Sequence, residues 1–266
     1  MYGDRPDPVS AAAAFVAERF ADARAAFLGD GVLGPLRTPT SDLDVVVVLD
    51  PAADVPGRPR PPYRETFEHA GWITEAFVHD EASLREWWDR DVARRVPSLV
   101  RMVAASVVLA DPSGIGDALR EEAAAVLAAG PPPADDGELA ARRYALTNLL
   151  DDMAGCDDEA ELGFIAGAVL REVGELALLV DGEWLGSGKG LPRRLAEHDP
   201  DLLERLVNGQ RHVVVYGDTA VLHKTAVAVL VRAGGALLVG YRATGRPQPA
   251  AGDTGESVAG DDPPTG

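Results

Sequence analysis

Cysteine is nearly absent. Cys156 stands alone among 266 residues, which excludes an intrachain disulfide and any cysteine-built zinc site. Histidine is scarce as well: His69, His79, His198, His212 and His223 show no ligand-like spacing, so a structural metal is not expected. There is no basic block. Lys and Arg number 25 against 43 Asp and Glu, a net charge of −18. A chain this acidic is a poor partner for nucleic acid or an anionic membrane, and a reasonable host for a cationic small molecule. No apolar run approaches the length needed to span a bilayer. The N-terminus places Asp4 and Asp7 ahead of a short alanine run at 11–14, without the basic start and longer apolar core of a signal peptide. The expectation is a soluble, cytoplasmic protein with no membrane and no nucleic-acid partner. No internal repeat is found.

What is present is enough apolar material, 46% of residues, for one large domain or two small ones. The chain is organised around Thr38-Pro39-Thr40-Ser41-Asp42-Leu43-Asp44-Val45-Val46-Val47-Val48-Leu49-Asp50. A turn-forming stretch leads into Asp-x-Asp and then an unbroken β-branched run, which reads as a buried strand. Side chains alternate along a strand, so Asp42 and Asp44 leave on the same face. Two neighbouring carboxylates do not both stay ionised cheaply without a cation. A hard divalent ion such as Mg²⁺ is the simplest partner; a solvated pair of acids at a strand start is the alternative. In Trp72-Ile73-Thr74-Glu75-Ala76-Phe77-Val78 a second strand puts Glu75 on one face with Ile73 and Phe77. Such a carboxylate needs a partner or a metal, unless the strand is an edge and Glu75 faces solvent.

In order along the chain, residues 1–9 read as mobile. Ser10 is placed to cap a helix running to about 27, and a glycine-punctuated connection at 28–35 leads to the Asp-x-Asp strand. The Pro-rich 50–62 is loop, and the Glu75 strand lies within 65–79. Helices follow at 81–91, with Trp87 and Trp88 on the packing side, and at 97–105, carrying Arg101. A third strand at 107–111 stops at Pro112-Ser113-Gly114, and 115–129 is helical. The run Gly130-Pro131-Pro132-Pro133-Ala134-Asp135-Asp136-Gly137 is the clearest linker. Beyond it only helices are expected, at 138–153, 159–180, 200–208 and 217–233, with apolar positions such as Leu162, Ile165, Ala166, Val169 and Leu170 at helical spacing and short loops favouring antiparallel packing. The fold class is α/β in the α+β sense: a small mixed sheet with flanking helices over 1–130, a helical bundle domain over 138–242, and a Gly/Pro/Asp-rich disordered tail at 243–266.

Ser41-Asp42-Leu43-Asp44-Val45-Val46-Val47, after a helix and a glycine-rich turn, resembles the polymerase-β-like nucleotidyltransferase superfamily. In that superfamily a third acid lies on a neighbouring strand, and Glu75 is the matching candidate. The helical half looks like small-molecule nucleotidyltransferases of the aminoglycoside and lincosamide type, on Leu149-Leu150-Asp151-Asp152-Met153-Ala154-Gly155 and on Gly182-Glu183-Trp184-Leu185-Gly186-Ser187-Gly188-Lys189-Gly190-Leu191-Pro192-Arg193-Arg194-Leu195. The resemblance covers roughly 10–235. It implies that Asp42, Asp44 and Glu75 hold Mg²⁺ and carry catalysis, with Glu75 as ligand, general base or both. It implies that a nucleoside triphosphate, ATP above all, supplies NMP to the hydroxyl of a small-molecule acceptor. Gly29, Gly31, Ser41 and Lys189 are the nucleotide-side candidates, Lys189 as a mobile point charge on the triphosphate. Asp151 and Asp152 are candidates for a cationic acceptor, or else a solvated helix end. The acceptor pocket is expected between the two halves.

The chain departs from the superfamily pattern at one point. Where Gly-Ser usually precedes the strand, ungapped alignment gives Asp30-Gly31, and a carboxylate repels phosphate. A one-residue shift lets Gly29, Gly31 and Gly34 make the close approach, but the serine is still missing, and Pro35 stands where glycine is usual. A second function class therefore stays open: a catalytically impaired module for nucleotide sensing or protein binding, of the antitoxin kind. A third, nucleotidylation of a protein, shares the site and differs only in the acceptor.

Overall fold

The computed structural model describes residues 5–34, 37–53 and 55–243, and the side chain of Asp30 is outside that description. Helix α1 (Pro8–Arg19) starts at Asp7, whose carboxylate accepts from the Ser10 backbone N–H at 2.9 Å, with Pro8 in the first turn. Ser10 is therefore inside the helix and Asp7 is the cap. The helix expected to reach residue 27 ends at Arg19. Residues Ala25–Leu28 form strand β1, fully buried in the interior of the sheet. A four-residue apolar run is compatible with either state, and here pairing on both sides decides it.

Strands β2 (Leu43–Val48), β3 (Tyr63–His69), β4 (Trp72–His79) and β5 (Val107–Ala110) complete a sheet of order β3-β4-β2-β1-β5. β2 and β4 are parallel and the other neighbours antiparallel. β3 was not expected. It forms a tight hairpin with β4 in which Ala70 (φ 50°) and Gly71 (φ 79°) both take the left-handed conformation that two-residue hairpin turns require. β4 is thus an interior strand, and β3 is the edge.

Alternation along β2 divides its side chains between two cores. Leu43, Val45 and Val47 pack with α1. Val46 and Val48 pack with α2 (Glu81–Arg94), α3 (Ser98–Ala104) and α4 (Gly116–Ala129). Asp44 shares the second face by parity.

The third core belongs to α5 (Asp136–Gly155), α6 (Glu159–Val180), α7 (Gly190–His198), α8 (Pro200–Tyr216) and α9 (Ala220–Arg232). α7 was not expected, and α8 runs eight residues past the predicted end at 208, to an αL cap at Gly217. The Pro-rich connection at 130–135 is tied down. Arg95, itself at φ 58°, donates to the carbonyls of Pro132 (2.8 Å) and Pro133 (3.0 Å) and pairs with Glu138 at 2.8 Å. Trp184 Nε1 donates to the Leu127 carbonyl at 3.0 Å, and the Leu185 N–H donates to the Arg95 carbonyl at 2.8 Å. These bonds cross between the sheet half and the helical half. Among the described residues no helix is long and apolar enough to cross a membrane. The tail expectation for 243–266 falls, beyond Ala243, outside the described residues.

Candidate active site

The strand register places the acids. Asp44, the second residue of β2, is the direct partner of Glu75 on parallel β4, so the two side chains leave the same face side by side. Asp42 lies two residues before Asp44, just ahead of the strand. Ligand oxygens of Asp42, Asp44 and Glu75 come within 4.8 Å of one another, and all three residues are half-buried.

The three acids carry an electrostatic penalty. The Asp44 carboxyl is pushed up from 3.8 to about 6, first by burial and then by the charges of Asp42 and Glu75; Lys189 and Arg64 pull it back. Like-charged carboxylates in a shielded pocket favour proton uptake or a cation. Three carboxylate oxygens are a donor set suited to a hard divalent ion.

Lys189 reaches this neighbourhood from the helical half. Trp184 and Leu185 are anchored on α4 and Arg95, and the chain then turns sharply through 186–190. The Gly190 N–H donates to the Ser187 carbonyl at 2.8 Å. A Cβ on Gly186 would stand 2.5 Å from the Gly190 carbonyl carbon, so only glycine fits there. Lys189 is exposed and precedes the first turn of α7.

The glycine turn lies over Asp44. The Gly29 N–H donates to the Asp44 carbonyl at 2.9 Å, and a Cβ on Gly31 would lie 4.0 Å from Asp44 Oδ2. Residues Asp30–Val32 form a single 3₁₀ turn. The expectations for the Asp30 carboxylate and for Pro35 fall outside the described residues. Ser41 has a different position from the other candidates. Its hydroxyl accepts from the Thr38 N–H at 2.9 Å and its own N–H donates to the Thr38 carbonyl at 3.1 Å, closing the turn that precedes Asp42. Arg5 supports that turn, donating to the Ser41 carbonyl at 3.2 Å while standing 4.6 Å over the Trp72 ring. Asp151 and Asp152 are exposed on α5, where Asn148 donates to Asp152 at 3.4 Å.

Arg64 is the residue that sequence reasoning missed. On β3 it pairs with Glu75, and its guanidinium carbon lies 4.8 Å from the centre of the Phe77 ring. The sequence signal is weak: Tyr63 and Phe67 fall on one face of the run, but Glu65 stands between them, and Arg64, Thr66 and Glu68 are all polar.

No family model and no curated protein matches this chain. Among solved structures, a nucleotidyltransferase-like protein from Exiguobacterium sibiricum 255-15 is similar over 86% of this chain and 73% of its own, at 11% identity and a TM-score of 0.41. At that distance the functional reading stands on the site's own geometry.

Proposed function

We propose that the protein is a Mg²⁺-dependent nucleotidyltransferase that moves a nucleoside monophosphate, AMP from ATP, onto a hydroxyl of a small cationic molecule. The observation that carries this reading is the convergence of Asp42, Asp44 and Glu75 on one face of the sheet, in the Asp-x-Asp strand context described above.

Asp42, Asp44 and Glu75 are the residues that would hold the divalent ion. When bound, that ion neutralises charge on the triphosphate at the α-phosphoryl group. The rest belongs to the chain. Lys189 supplies a positive charge on the helical side for the β- and γ-phosphates. A Cβ on Gly31 would lie 4.0 Å from Asp44 Oδ2, so the backbone at Gly31 stands close enough to the acids to approach a bound phosphate. The acceptor hydroxyl attacks the α-phosphorus, a new P–O bond forms, the bond to the β-phosphate breaks, and pyrophosphate departs. The hydroxyl proton passes to a carboxylate of the cluster. The acceptor is assigned to the junction of the sheet half and the helical half, since small-molecule sites favour such junctions, and the chain's net charge of −18 favours a cation there.

Incubation with α-labelled ATP, Mg²⁺ and a panel of aminoglycoside-like and neutral hydroxyl acceptors tests the reading. Label transfer that disappears in Asp44→Ala is expected. Absence of transfer with every nucleotide and acceptor would overturn it.

A second reading has one observation in its favour. The Ser41 oxygen accepts from the Thr38 N–H within its own turn, and the glycine turn beside Asp44 has no serine, so the hydroxyl that usually meets phosphate is absent from that turn. On this reading the fold senses a nucleotide or binds a protein without turnover. Saturable ATP binding with no transfer to any acceptor would favour it.

A further inference from the structure

Glu75 is already engaged. Its carboxylate is paired with Arg64, whose side chain is 58% exposed against 20% for Glu75. The same guanidinium rests on the Phe77 ring at 4.8 Å, two residues along β4 and on the same face as Glu75. Arg64 thus has an aromatic seat that does not depend on the carboxylate. Among the described residues, Lys189 from the helical half and Arg64 from the adjoining strand act on the acid cluster. Of these, Arg64 is the one in direct contact with a prospective metal ligand.

The two cations compete for one carboxylate. An Arg64 N–H donates to Glu75 Oε2 and takes up part of that oxygen's lone-pair capacity, and the guanidinium charge opposes a second cation nearby. A partly exposed ion pair contributes little net free energy, so a divalent ion drawing on three carboxylates displaces it.

We propose that Arg64 is the internal counter-ion of the metal-free acid cluster, released from Glu75 when a divalent cation binds, and that it thereby sets how tightly the site takes the metal. The inference rests on the metal-site reading of Asp42, Asp44 and Glu75. Once released, Arg64 keeps its place on Phe77 at the exposed rim, available to an anionic phosphate.

The test is a Mn²⁺ titration of the full chain at low salt, with free Mn²⁺ followed by electron paramagnetic resonance, which requires no turnover. Wild-type binding is expected to be lost in Asp44→Asn. Arg64→Gln is expected to bind Mn²⁺ about two- to fivefold more tightly than wild type. Arg64→Lys keeps the charge and stays closer to wild type. Glu75→Gln weakens binding, and in that background Arg64→Gln has a smaller effect, because only its through-space charge is left to remove. Added salt narrows the gap between wild type and Arg64→Gln, because an exposed charge is screened. If wild-type binding depends on Asp44 but Arg64→Gln binds no more tightly than wild type, the counter-ion role is overturned and the metal site stands. If Mn²⁺ binding is indifferent to Asp44→Asn, the metal-site reading itself fails, and this inference with it.

Discussion

The protein gathers carboxylates in two places and treats them differently. In the helical half, Glu172 and Glu175 on α6 are buried, at 7% and 9% exposure, around Arg142 of α5. Arg142 Nη1 lies 3.0 and 3.1 Å from the two Glu172 oxygens and 2.7 Å from Glu175. Burial works against the Arg142 charge, but Glu172 and Glu175 together hold its pKa above the usual value. In the sheet half, Asp42, Asp44 and Glu75 converge, and among the described residues the cations that act on Asp44 lie toward solvent. Their positive neighbours are the exposed Lys189 and the largely exposed Arg64, and the Asp44 carboxyl rises to about 6. The first cluster is satisfied by the chain itself and belongs to the structure. The second is left short of positive charge, which is the condition expected of acids that await a ligand.

The strongest way to break this comparison is to remove the cation from the satisfied cluster. Arg142→Met leaves buried Glu172 without its cation and Glu175 with only the half-exposed Arg171, and is expected to destabilise the protein by about 3–5 kcal/mol in denaturant unfolding. The opposite sign is expected at the other cluster. An acid whose folded pKa is raised weakens the fold once the pH exceeds its unfolded value. The contribution of Asp44 to metal-free stability should therefore fall as pH rises from 3.8 to about 6. Asp44→Asn removes that slope and stabilises the metal-free protein at pH 7 by roughly 1–3 kcal/mol, read from unfolding curves across this pH range.

Smaller effects sharpen the boundary between the halves. Trp184→Phe deletes the hydrogen bond to the Leu127 carbonyl and should cost about 1 kcal/mol. It should also loosen the 186–190 turn, so that ATP protection falls with metal affinity unchanged. The smallest effect tests the periphery of the satisfied cluster. Arg171 is half-exposed and 3.5 Å from Glu175, and Arg171→Ala should change stability by less than about 0.5 kcal/mol.

The sheet's centre and the face carrying the acids could be read from sequence, because Asp-x-Asp followed by four valines has one strand-like interpretation and parity sets the face. The register could not. That Asp44 sits directly beside Glu75 follows from the parallel pairing of β2 with β4, a tertiary choice made after β3 has been inserted between them in the chain. β3 itself was hidden by its Pro-rich approach and its polar, edge-facing side chains, and Arg64 was hidden with it. β1 was concealed by continuity with the alanine-rich helix before it; Ala25-Ala26-Phe27-Leu28 is short and helix-compatible until a neighbour pairs with it. α7 was obscured by the glycines at 186, 188 and 190 and by Pro192, which favour a turn locally, although Pro192 falls where a first helical turn tolerates it. Lys189 was identified as a charge in that turn, but its electrostatic reach to Asp44 depends on Trp184 and Leu185 docking on the other half.

The most direct test of the central claim is the shift in melting temperature of wild type and Asp44→Asn in Mg²⁺ alone, ATP alone, and both together. A ligand that binds only the native state must raise the melting temperature. Wild type is expected to show a rise that is largest with Mg²⁺ and ATP together, and Asp44→Asn no such rise. An unchanged wild-type melting temperature in all three conditions, or an equal rise in Asp44→Asn, would contradict it.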